Sequence, residues 1–187
     1  LSGASVTTGA WKTSLNSLFK YHLATYGYTP KTDAQIVQEK KEALVDSSLT
    51  VTPYTATNPF ATYGITGVDV ASDGTTNQAV IYTVEFVGYN PSDNNEYLIA
   101  FDLSTNEVLG FTTLYSGDST DFGAARMIDS ANWTQFEGLS SSNLLAPNVD
   151  GFTGASITGY ALEASLQNVS VFHQWEFQGI QVLTPEQ

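Results

Sequence analysis

A chain of 187 residues has the length of one ordinary domain, and 42% hydrophobic with 12% aromatic residues is enough to bury a core. A net charge of −13 with no cysteine excludes a basic nucleic-acid surface, any disulfide, a thiolate nucleophile, a zinc–thiolate site and an iron–sulfur cluster. Five of the six cations (Lys12, Lys20, Lys31, Lys40, Lys41) fall in the first 41 residues, so the acidic body after them repels phosphate backbones and anionic lipid.

Trp11, Leu15, Leu18, Phe19 and His22 lie on one face at helical spacing, which predicts a helix over 10–25 ended by Gly27 and Pro30. A second helix is expected over 33–45, capped by Thr32, with Ile36, Val37, the Lys40 stem, Ala43 and Leu44 as its apolar stripe. After Ser48 the texture turns to β. Leu49, Val51 and Pro53 alternate with threonines, and two strands over 65–71 and 78–89 flank the turn 72–77. Val80, Tyr82, Val84 and Phe86 alternate, while Ile81 and Val87 make the other face partly apolar. After the loop 90–95, a further hairpin is expected over 96–103 and 108–115. The stretch 116–150 is rich in Ser, Asp and Gly, with a helix near 129–138. Residues 157–169 are expected to be helical and 170–183 to form a closing strand. The fold class is α+β: an antiparallel meander with N-terminal helices and a helix after residue 156.

Residues 150–158 read D-G-F-T-G-A-S-I-T. As structure, this is a helix start with Thr158 as N-cap and Leu162, Leu166 and Val169 facing inward. A helix start also presents free N–H groups and partial positive charge, a ready site for phosphate even on an acidic protein. Gly154 and Ala155 let the backbone approach closely, Ser156 offers a hydroxyl, and Asp150 stands six residues earlier to accept its proton or orient the turn.

With Asp150, Thr153, Gly154, Ala155, Ser156 and Thr158 at every fixed place of D-x-x-[ST]-G-A-[ST]-x-[ST], the chain resembles the covalent FMN-binding domain family. That family includes an FMN-bearing component of the sodium-pumping NADH:quinone reductase, its Rnf counterpart and PplA-like extracellular electron-transfer flavoproteins. Chance gives such a match in roughly one chain in several thousand. The resemblance implies FMN linked by a phosphoester to Ser156 and installed by a dedicated (ApbE-like) flavin transferase. It covers residues 78–170. Upstream, Asp118 and Ser119 stand for the family's Glu-Thr and Gly123 for its last glycine, while Thr120 and Asp121 depart from its Pro-Gly; Trp133, Phe136 and Gly138 continue the match.

The first seven residues, L-S-G-A-S-V-T, match F-T-G-A-S-I-T at 152–158 in every position by identity or close chemistry. Residues 1–30 are therefore read as the end of a preceding repeat's attachment motif with a linking helix, and 31–187 as the FMN-binding domain. Ser5 is a second attachment site in a longer tandem protein, expected to be empty here because its aspartate is missing.

Other constellations carry less. His22 and His173 lack the G-x-S-x-G elbow of a hydrolase, and Asp93-Asn94-Asn95-Glu96 lacks calcium-loop spacing. Asn132 and Asn168 begin glycosylation sequons that matter only in a eukaryotic secretory route. Tyr26, Tyr28, Tyr54 and Tyr63 are candidates to stack on a flavin ring, against a default place in the core. No apolar run spans a membrane. The start lacks a signal-peptide pattern, so an exported protein is expected to have lost its targeting segment. The resemblance thus implies an electron carrier with no catalytic residues or metal of its own. It would sit at the cell surface in a membrane-anchored lipoprotein, or in the periplasm. Its donor would be a membrane quinol or NADH dehydrogenase system, its acceptor extracellular, and a tandem FMN domain would lie in the same chain. The alternative is a secreted β-rich binding or adhesion module without cofactor.

Overall fold

The computed structural model describes residues 5–27, 29–120, 123–150, 152 and 154–181, the side chains of 5–9 excepted. The chain divides between Ile36 and Val37 into two compact units.

The first unit contains helix α1, Ser5–Tyr26, and the opening turn of α2, Asp33–Glu42. α1 begins at Ser5, five residues ahead of the helix predicted over 10–25. Its His22 ring lies 4.7 Å from that of Tyr26. α2 starts where expected. The Gln35 amide N–H donates to the Thr32 hydroxyl at 3.2 Å and the Thr32 N–H donates to the Gln35 side chain at 2.9 Å, a reciprocal capping box.

The second unit is a five-stranded antiparallel sheet whose spatial order follows the chain: β1 Thr50–Pro53, β2 Ile65–Ser72, β3 Asn77–Val87, β4 Asn94–Asp102 and β5 Val108–Ser116. Pro53 is tolerated because β1 is an edge strand. The strand period of two sorts the side chains into two cores. Val80, Tyr82, Val84 and Phe86 of β3 join Tyr97, Ile99 and Phe101 of β4 in the larger one. Ala79, Ile81, Leu98 and Ala100 point the other way, against Leu44, Val45 and Leu49. Lys41 reaches this second face and pairs with Asp69 at 2.6 Å. The Asp73 carboxylate accepts from the Thr75 hydroxyl and from the Thr76 and Thr75 amides, which closes the β2–β3 turn and holds that carboxyl well below its usual range.

The larger core is covered by α4, Ser156–Phe177. Expectation and structure part here, because residues 170–177 continue the helix where a strand is expected. From Ser170 to Gln174 every side chain is buried, so no polar face marks the helical period, and Val169-Ser170-Val171-Phe172 reads as β on composition alone. Phe172 meets Tyr82 edge-on at 5.9 Å and Phe60 at 6.1 Å. At the end of α4, Glu176 accepts from the Thr57 amide (2.7 Å), the Asn58 amide (2.9 Å) and the Tyr54 hydroxyl (3.1 Å). Burial works to raise its pKa; these bonds prevail and leave it below the ordinary value.

The helix expected near 129–138 is instead two 3₁₀ turns, Ser130–Asn132 and Thr134–Phe136, preceded by the short helix α3, Gly123–Ile128. The Thr113 hydroxyl donates to the Met127 carbonyl and ties α3 to β5. Among the described residues no helix is long and apolar enough to cross a membrane.

Candidate functional site

The start of α4 is an open helix end. Its N-cap position is Ala155, at φ −126°, which makes no side-chain cap bond, so among the described residues the backbone N–H groups of the first turn are left to face the helix end. Gly154 precedes it at φ +83°, a conformation that glycine adopts without strain. Thr158, expected to be the cap, lies inside the first turn and is buried. Its hydroxyl donates to Asp118 at 2.7 Å.

Asp118 is the hub of the site. Besides Thr158, it accepts from the Asn90 amide at 2.9 Å and from the Asn95 side-chain amide at 3.2 Å. The residue is 7% exposed. These three donors are neutral, and the positive end of α4 adds to their stabilisation. The surrounding backbone is cut to fit. A Cβ added at Gly88 or at Gly123 would come within 2.4 Å of the Asp118 carboxylate. We predict that Gly88→Ala destabilises the protein by about 1–3 kcal/mol, by overpacking. Chemical denaturation checks this, and an unchanged midpoint would mean that the hub has slack.

Around this anchored turn lies a cleft of about 590 Å³ lined by Tyr89, Ser119, Gly123, Gly154, Ala155, Ser156, Ile157 and Thr158. A second cleft of about 210 Å³ also meets the helix start, lined by Val149, Asp150, Phe152, Ser156, Gly159, Tyr160 and Glu163. Ser156 is exposed and is the residue common to both. The backbone at Asp150 is clasped by Gln135, whose side chain accepts from the Asp150 N–H at 2.9 Å and donates to its carbonyl at 3.1 Å. The Asp150 side chain is left exposed on the edge of the smaller cleft.

The structure thus brings together Asp118, Ser119, Gly123, Asp150, Gly154, Ala155, Ser156 and Thr158. Thr153 lies outside the described residues, as do Tyr28 and the side chain of Ser5; Ser5 itself is the first residue of α1. Trp133 and Phe136 line neither cleft; they belong to the core, where Trp133 stacks on Phe111 at 4.3 Å. Tyr54 and Tyr63 also pack on the core, against Phe177 and Phe172. The tyrosine that does line the larger cleft is Tyr89, which the sequence reading missed. No local spacing marks it; it is placed by the β3–β4 loop, whose Asn90 amide donates to Asp118. Among the described residues no group of three acidic or histidine side chains is placed to hold a metal ion.

Compared with known protein families and with curated proteins, the chain matches none.

Proposed function

We propose that the chain is an electron-transfer module that carries FMN on Ser156 through a phosphoester. The observation that supports this best is the placing of Ser156: an exposed hydroxyl on an uncapped helix start, at the rim of a cleft of about 590 Å³. That volume falls in the range of small-molecule and cofactor sites. The chemistry of the lining suits a phosphorylated ring system. Free N–H groups and the positive helix end favour the phosphate. Gly154 and Ala155 leave room beside it, and Tyr89 and Ile157 offer an apolar wall. Ser119 and the first turn of α4 supply the polar contacts, and Asp118 fixes that turn through Thr158. Asp150 shares the smaller cleft with Ser156 and is the carboxylate at hand for the hydroxyl proton when the serine oxygen attacks the flavin-side phosphorus of a flavin dinucleotide brought by the transferase; the P–O–P bond breaks, the nucleoside monophosphate leaves and FMN stays as the ester.

Bound FMN supplies one- and two-electron chemistry. The protein's part is to tether, orient and leave an edge open. A covalent tether holds the cofactor at high effective concentration where a diffusing one would be lost to dilution. On this reading the module works at the cell surface or in the periplasm. It takes electrons from a membrane quinol or NADH dehydrogenase system and delivers them to an extracellular acceptor, and its one modifying partner is a flavin transferase.

Produced together with a flavin transferase, the protein should be yellow and heavier by about 438 Da, the FMN adduct. Ser156→Ala should remove the adduct while leaving the fold intact. Absence of adduct on the parent protein, with a transferase active on a control substrate, would overturn the proposal.

A further inference from the structure

α1 and α4 are both 22 residues long, and both begin on the serine of a G-A-S motif, Ser5 and Ser156. Aligned from those serines, the two helices correspond at four apolar places, although Phe19 and Lys20 stand opposite the buried Ser170 and Val171. Trp11 stands opposite Leu162, Leu15 opposite Leu166, Leu18 opposite Val169 and Tyr21 opposite Phe172. In α4 these four are fully buried on the sheet; in α1, Trp11, Leu18 and Tyr21 are 62%, 61% and 68% exposed. The polar residues correspond as well. α4 buries Ser165, which bonds the Tyr97 hydroxyl at 2.9 Å, and His173, whose ring bonds the Tyr82 hydroxyl at 2.9 Å and the Asn106 side chain at 3.2 Å. α1 carries Ser14 and His22 at the same two places.

A generic amphipathic helix has no need of a serine and a histidine inside its apolar stripe. A helix that must bond tyrosines on a sheet does. We infer that α1 is the closing helix of another module of this fold, and that its apolar face takes the open sheet face of that module as α4 takes β2–β5. Charge agrees. α1 holds Lys12 and Lys20 with no acidic residue. The sheet-bearing unit from Val37 onward holds Lys40, Lys41 and Arg126 against eighteen Asp and Glu. The inference concerns helix and sheet only and stands apart from the flavin reading.

The test supplies the sheet. Residues 31–151 are placed directly ahead of Leu1 in the full chain, so that Asp150-Gly151 runs into Leu-Ser-Gly-Ala-Ser. In the parent chain the α1 amides should exchange with solvent at least about 100-fold faster than those of α4; in the extended chain they should come within about 10-fold of them. Leu15→Asp in the extended chain should return α1 to fast exchange and leave α4 protected. The extended chain with Trp11→Leu, the residue α4 carries there, covers a poor fit of the larger ring. If α1 exchanges in both extended forms as it does in the parent, the inference is overturned. With the transferase present, a second adduct at Ser5 is expected, and this readout does rest on the flavin reading. Protection of α1 without any adduct supports the helix inference and counts against the flavin reading alone.

Discussion

Replacing Asp118 with alanine should cost about 3–5 kcal/mol and lower the melting temperature by about 10 °C or more. The carboxylate is the shared acceptor for Thr158, Asn90 and Asn95, so one side chain ties the start of α4 to the β3–β4 loop and to β4. Removing it strands buried donors, each costing about 1–3 kcal/mol, and opens a void between Gly88 and Gly123 that no neighbouring Cβ fills. The same change frees the first turn of α4. Flavin loading at Ser156 should therefore fall in Asp118→Ala even below its melting temperature, and Thr158→Val should reproduce part of that loss with a smaller change in stability. Denaturation and intact mass together check both arms. A melting temperature unmoved by Asp118→Ala would take the carboxylate out of its anchoring role.

Acidification should cost about 2–3 kcal/mol between pH 7 and about pH 4.5 through His173 alone. Its ring is fully buried, stacked on Phe101 at 4.4 Å, and burial lowers its pKa from 6.5 to about 4. Asn106 presents an oxygen to Nε2, so Nε2 carries the proton and Nδ1 accepts from Tyr82, whose own pKa burial raises. The chain Tyr82–His173–Asn106 is therefore satisfied with the imidazole neutral. Below pH 6.5 the unfolded state binds a proton there that the folded state refuses until about pH 4. Stability is thus full above pH 6.5 and is lost as pH falls through that window. His173→Gln should lower stability at neutral pH and flatten the pH dependence above about pH 4.5. If His173→Gln proves as acid-sensitive as the parent, the effect belongs to another group.

Much of the sheet was legible because its strands alternate. Val80, Tyr82, Val84 and Phe86 announce one face, Ile81 the other, and the aspartates of the two hairpin turns mark where the chain reverses. The cap at Thr32 was legible because it is local; that Gln35 answers it from three residues on, as a reciprocal box, was seen only in the structure. What the sequence concealed was long-range. The second half of α4 lost its helical signature because the sheet surrounds it and it needs no polar face. α3 is six residues between irregular segments, too short to show a period. The motif at 150–158 located the start of α4 and its glycine turn. The reason Thr158 is a threonine lies forty residues away in Asp118, and Tyr89 enters the cleft from the β3–β4 loop. Local spacing carries no information about either.

The scattering of those walls has a consequence for the order in which the molecule becomes competent. Neighbouring strands in space are neighbours in sequence, so the hairpins can zip up early and cheaply. The last helix must then return across the finished sheet, closing a long loop from the end of β5. The hollow beside Ser156 takes one wall from residue 89, one from Ser119 and Gly123 and one from 154–158, and it has no existence until that return is complete. A nascent or damaged chain displays the same G-A-S tripeptide without the hollow, so on the proposed flavin reading a transferase that must fit into it would handle only polypeptides that have already passed their own quality control.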